Sequence, residues 1–221
     1  MNLHDGMAPN LIGWVAIVLW AGCLWLALKG APWHALRSNK LEPIWVCAAG
    51  IVAMLWVMGA GVHPGLELHL LGVTALTLMF GWQLALVGAS LALIGLSALG
   101  LYSWAAVGMN GMLLTVLPVA LSHGLGRIAY TLLPRHFFIY VLVLAFFGSM
   151  LVIGATITAS AILLLALGAY PPAIIVHDYL VMLPLIMFPE GFITGMIMTM
   201  LVVYKPHWVR TFDDRDYIHG K

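Results

Sequence analysis

His4 beside Asp5, Glu67 near His69, and His177 beside Asp178 pair imidazole with carboxylate in a chain otherwise poor in charge. His63 stands close to the second of these pairs, ahead of Pro64 and Gly65. Imidazole nitrogen and carboxylate oxygen, free of neighbouring Lys or Arg, suit a divalent transition metal. Imidazole favours Co, Ni, Cu and Zn over Mg and Ca. The α-amine of Met1 adds a further donor, because an α-amine keeps a usable neutral fraction near neutral pH.

The elements that must carry these residues belong to a membrane protein. Of 221 residues, 63% are hydrophobic and 8% are charged, against about 25% charged in an average soluble domain. Long apolar runs predict an all-α polytopic membrane helical bundle of about seven transmembrane helices. They cover residues 8–28, 43–61, 66–81, 83–102, 104–122, 136–168 and 179–204. Lys29, Arg37 and Lys40 fall between the first two. Arg127 and Arg135 fall between the fifth and sixth, and Lys205, Arg210, Arg215 and Lys221 follow the seventh. All the Lys and Arg therefore share one side, which the positive-inside rule makes cytoplasmic, with the N-terminus outside and the C-terminus cytoplasmic. The first run has no cation before it and three after it, the reverse of a cleaved signal peptide, so Met1 is expected to remain the outer terminus. The expected division is one transmembrane domain over 1–204, its N-terminal cap 1–7 included, and a short cytoplasmic tail at 205–221.

This topology places His4, Asp5, His63, Glu67, His69, Tyr102, His177 and Asp178 on the outer face. Each residue also has a structural reading. His63 is a solvated loop residue, His177 and Asp178 an interfacial cap, and Glu67 a cap for the dipole of the third helix. His69 differs, because it lies a turn inside an apolar run, where an unpartnered ring is costly. Glu190, in "MFPEGF", sits within the last run and must face the bundle interior. It is either a step on an ion path or part of a buried network with Asn110 or Thr194. Asn110 is either interhelical glue or an outer partner that orients His69. Gly191/Gly195, Ala85/Ala89, Gly88/Ala92 and Ala155/Ala159 have the spacing of close helix packing. Cys23 and Cys47 read as small apolar packing residues.

The stretch "LHLLGVTALTLMFGWQLALVGASLALIGLSALGLYSWAAVGMNGML" (68–113) resembles the CbiM/NikM family, the substrate-capturing membrane components of cobalt and nickel energy-coupling-factor (ECF) ABC transporters. "PEGFITG" (189–195) resembles that family's Glu-Gly motif, and the opening "MNLHDG" resembles its "MHIx[DE]G". The resemblance implies a metal held by the terminal amine, the second residue and the His of "HLLG". The amine maps to Met1 and the last ligand to His69. The family's second-position His has no counterpart, because Asn2 stands there and His4 follows two residues on. The resemblance thus carries over Met1 and His69 alone; His4, at a position the family does not usually use for metal, is added to give an expected ligand set of Met1, His4 and His69, with Asp5, Glu67, Asn110 and Glu190 around it or along the path. The implied cargo is Co or Ni, with Cu and Zn as alternatives.

No Gly-rich phosphate loop, soluble catalytic domain or nucleic-acid patch is present, so the chain is not read as an enzyme. Any ATP would be hydrolysed by separate ATPase subunits joined through a transmembrane coupling subunit. The expected location is the bacterial cytoplasmic membrane, in contact with lipid. Two other functions remain open: a structural or regulatory membrane subunit that has lost metal binding, which Asn2 favours, and a haem or copper electron-transfer protein, which would want two histidines facing each other at depth.

Overall fold

The computed structural model describes Leu3 and residues 10–61, 63 and 65–212. Among the described residues the main helices, in chain order, are α1 (Asn10–Gly30), α2 (Trp33–Ser38), α3 (Glu42–Val57), α4 (Val73–Phe80), α5 (Trp82–Ala98), α6 (Val107–Leu132), α7 (Phe137–Ala166) and α8 (Pro172–Tyr204). Among the described residues there is no strand, and the one isolated antiparallel bridge joins Ala60 to Leu68. Helices α1, α6, α7 and α8 are long and apolar enough to cross a membrane, while α3 and α5 are shorter apolar helices. Wide π-helical stretches interrupt the long ones at Gly111–Val116, Tyr140–Phe147 and Ile175–Tyr179.

The third apolar run does not form a long helix. Its helical part, α4, has only eight residues, so it spans roughly 12 Å of a hydrocarbon core about 30 Å thick. Gly72, at φ +64°, precedes it, and Gly81, at φ +82°, ends it. Both conformations lie in the region open to glycine. Residues 66–72 instead lead into α4 without helical structure, along the wall of the bundle.

Small residues let the long helices approach. A methyl group on Gly191 of α8 would sit 2.5 Å from Met150 Cγ and 3.0 Å from the Phe146 carbonyl of α7. One on Gly111 would strike the Trp20 ring at 2.6 Å, and one on Gly108 would strike the backbone of Ile17. A methyl group on Gly88 of α5 would meet Trp45 Nε1 of α3 at 3.3 Å. The Gly191/Gly195 and Gly88/Ala92 pairs therefore have packing partners within this chain. Buried hydroxyls bond to carbonyls one turn back, as Thr156 does to Val152 (2.8 Å) and Ser160 to Thr156 (3.0 Å). That satisfies them without an interhelical partner. Leu11, Trp14 and Leu26 on α1, and Leu185, Phe192 and Met200 on α8, face outward, as a bundle surrounded by lipid requires.

After α8 the chain turns under α4. The last carbonyls of a helix lack intrahelical donors, and here the returning chain supplies them. Arg210 N donates to Met79 O (2.8 Å), and Thr211 N and Oγ1 donate to Leu78 O (3.3 and 2.7 Å). Val209 and Phe212 are buried there. At the other end the loop before α4 meets the π-helical start of α8, where His63 Nε2 lies 3.1 Å from Asp178 Oδ2.

Candidate metal centre

His69 lies in the non-helical segment ahead of α4 and is only 2% exposed. Three side-chain contacts fix the backbone beside it. Trp56 Nε1 of α3 donates to the Leu71 carbonyl (3.0 Å). Glu190 of α8 accepts from Leu71 N through Oε2 (2.8 Å) and from Gly72 N through Oε1 (2.9 Å). Both carboxylate oxygens act as acceptors, and the positive end of α4 lies beside them. This is the buried partner that a carboxylate deep in an apolar bundle needs. The Trp56 ring also lies 5.9 Å from the His69 ring, and Tyr102 stacks on Trp56 at 6.5 Å while its hydroxyl donates to Trp56 O (3.3 Å).

The His69 ring has a defined tautomer. Nδ1 lies 3.1 Å from the Leu70 carbonyl. A carbonyl only accepts, so Nδ1 carries the proton and Nε2 presents a lone pair. Nε2 is buried and has no hydrogen-bond partner among the described residues. Leaving such an atom unpaired costs about 1–3 kcal/mol, so it asks for a ligand. An imidazole oriented by a carbonyl on its far nitrogen is the usual arrangement of a metal-binding histidine.

Asn110 of α6 holds the start of the chain. Its Oδ1 accepts from Leu3 N (2.8 Å) and its Nδ2 donates to Leu3 O (3.1 Å). Both residues are buried. This two-point clamp on a backbone draws the third residue into the bundle.

The expected site residues divide as follows. Met1, His4 and Asp5 lie outside the described residues. Glu67 is half-buried against Gly61, where an added methyl would meet its Cα at 2.7 Å. The expectation that Glu67 caps the third helix is corrected: Gly72 holds the N-cap position of α4, and the carboxylate at that end belongs to Glu190. Glu190 bonds to the backbone of Leu71 and Gly72, a partner that neither of its expected readings named. Asn110 orients Leu3. His63 and Asp178 pair with each other at the surface, 5.8 Å from the Tyr170 ring in the case of His63. Among the described residues no three of His, Cys, Asp and Glu gather around one point. His69 Nε2 thus has no such cluster gathered beside it, and no hydrogen-bond partner, among the described residues. No sequence signal marks Trp56, because a Trp in an apolar run shows nothing of the carbonyl it will meet.

Comparison with curated proteins returned no match. A crystal structure of a truncated transition metal transporter is similar, with TM-score 0.76 and 20% identity over 92% of this chain and 99% of the other. A crystal structure of a transition metal transporter gives TM-score 0.67 and 20% identity over 94% and 93%. At that identity the likeness speaks for the fold. Residues 2–208 match the CbiM family, described as the cobalt uptake substrate-specific transmembrane region. With that match running from residue 2 to the returning chain beyond α8, the protein belongs to the CbiM family, a multi-pass membrane component of transition-metal transport.

Proposed function

We propose that this chain captures cobalt or nickel for an ECF-type importer in the bacterial cytoplasmic membrane. It works with a transmembrane coupling subunit and two ATPase chains. The reading takes residues 1–204 as one membrane domain of seven spans, with the N-terminus outside and the tail 205–221 in the cytoplasm. The metal is cargo, and Cu or Zn are the alternatives. The observation that carries the reading is the buried Nε2 of His69, without a hydrogen-bond partner among the described residues. The Asn110 clamp adds support: Leu3 is anchored, and two residues of chain reach at most about 7 Å, which limits where the Met1 amine can stand. The Met1 amine and the His4 ring are the proposed further ligands. Glu190 and Trp56 hold the backbone from which His69 projects, so the ring is set before the ion arrives.

Two features favour a subunit without metal binding: Asn2 in place of the family's His, and the lack of a three-ligand cluster among the described residues. A haem protein is less well supported, because His69 is the only buried histidine among the described residues. The test is uptake. Cells making this chain together with its coupling and ATPase subunits should accumulate labelled cobalt or nickel, and His69→Ala should abolish accumulation. Equal uptake by that variant contradicts the assignment, and absent uptake with every subunit assembled favours the regulatory reading.

A further inference from the structure

Helices α3, α4 and α8 enclose an apolar groove of about 550 Å³, walled by Ile51, Leu55, Ala75, Ile197 and Leu201 among others. It forms because α4 is too short to fill the space between its neighbours. One end is closed by Leu70, Gly72 and Glu190, and the other reaches Trp208. A second compartment of about 150 Å³ adjoins it, sharing Met79 and Trp208, and adds Asn39, His207 and Arg210. Site and charge thus change together, from hydrocarbon walls to a cation and two hydrogen-bonding side chains.

The geometry points to a binding site for one anionic phospholipid, an acyl chain in the groove and the phosphate at Arg210. Along α3 the groove runs from Pro43 to Leu55, roughly 18 Å at 1.5 Å per residue. One leaflet of hydrocarbon is about 15 Å deep, so a tail fits lengthwise. Spread over that length, the volume open to the centres of water-sized atoms gives a channel on the order of 6 Å wide, or roughly 9 Å from wall to wall once their radius is added, still narrower than the 10–12 Å of a helix with its side chains. A hydrocarbon chain with carbon contacts at about 3.5–4.0 Å suits it better than a partner helix.

The polar end matches the headgroup. Arg210 is exposed, its guanidinium makes one long contact to the Phe80 carbonyl (3.5 Å), and no carboxylate among the described residues pairs with it. Arg37, by contrast, is already paired with Glu42 at 3.1 Å. A guanidinium binds phosphate with two parallel hydrogen bonds, and an indole such as that of Trp208 settles at the headgroup level. The positive-inside rule assigns the basic end to the cytoplasmic side, where the leaflet carries anionic lipid that attracts Lys and Arg. This site stands independently of metal capture.

The test uses the full-length protein in detergent after reconstitution in vesicles of phosphatidylglycerol and phosphatidylcholine in equal parts. Native mass spectrometry then reads what stays bound. The expected result is one retained phosphatidylglycerol, with at least a fivefold preference over phosphatidylcholine. Arg210→Ala should erase the preference and Arg210→Lys should restore part of it. Ala48→Trp and, separately, Ile51→Trp should block the groove and remove the bound lipid, with unchanged elution on size exclusion showing that each variant is folded. Equal retention of both lipids by the parent overturns the proposal. So does retention unchanged in both groove variants, or a protein helix found in the groove instead of lipid.

Discussion

Replacing Glu190 by Gln separates holding the metal loop from holding the bundle. The carboxylate accepts from Leu71 N and Gly72 N at 2.8 and 2.9 Å. Gln has one oxygen, so its amide N–H₂ would face one of these N–H groups, donor against donor. Losing a charge-assisted bond and leaving a buried N–H unpaired sums to about 3 kcal/mol. Against this, the variant no longer buries a charge, which at such depth is worth about 2.5–3.5 kcal/mol on insertion scales. The two nearly cancel in global stability, so the thermal midpoint should move little. They do not cancel at the loop. There the second anchor of residues 71 and 72 is gone, and the His69 ring is no longer pre-set. Outer partners of metal ligands typically carry 10–100-fold in affinity, and that loss is expected for cobalt or nickel, read by competition with a metallochromic chelator. A variant that melts much lower yet binds metal within twofold of the parent would refute the reasoning and leave Glu190 as packing alone.

Asn110→Leu removes both bonds to Leu3; metal affinity should fall at least tenfold while helical content by circular dichroism is kept. Gly72→Ala places a methyl group 3.1 Å from Leu55 Cδ1 on a backbone at φ +64°. It should cost about 1–2 kcal/mol from the left-handed conformation alone, seen as a lower thermal midpoint in detergent. His63→Ala breaks a hydrogen bond to Asp178 at the surface, so metal stoichiometry should be unchanged and stability should shift by less than about 1 kcal/mol.

Sequence patterning revealed the long helices well, because apolar runs bounded by charge carry their own length. It misjudged the third run, where Leu70, Leu71 and Leu76 read as continuous hydrocarbon. The helix starts late because the backbone of Leu71 and Gly72 is engaged by Trp56 and Glu190 from distant helices. No local pattern reports a contact that spans 119 positions. His69 was legible as a polar ring in an apolar setting, and so was the need of Glu190 for a partner. The partner itself was not, because backbone N–H groups are present at every residue. Likewise Asn110 was legible as buried, but its bond to Leu3 depends on how α6 meets the start of the chain.

The central claim is that His69 Nε2, which has no hydrogen-bond partner among the described residues, binds a metal together with the chain's own first residues. Elemental analysis tests it most directly, on protein with its native N-terminus exposed to cobalt or nickel and then freed of loose metal. The account predicts one ion per chain for the parent and none for His69→Ala. Equal metal in both, or none in the parent, contradicts it.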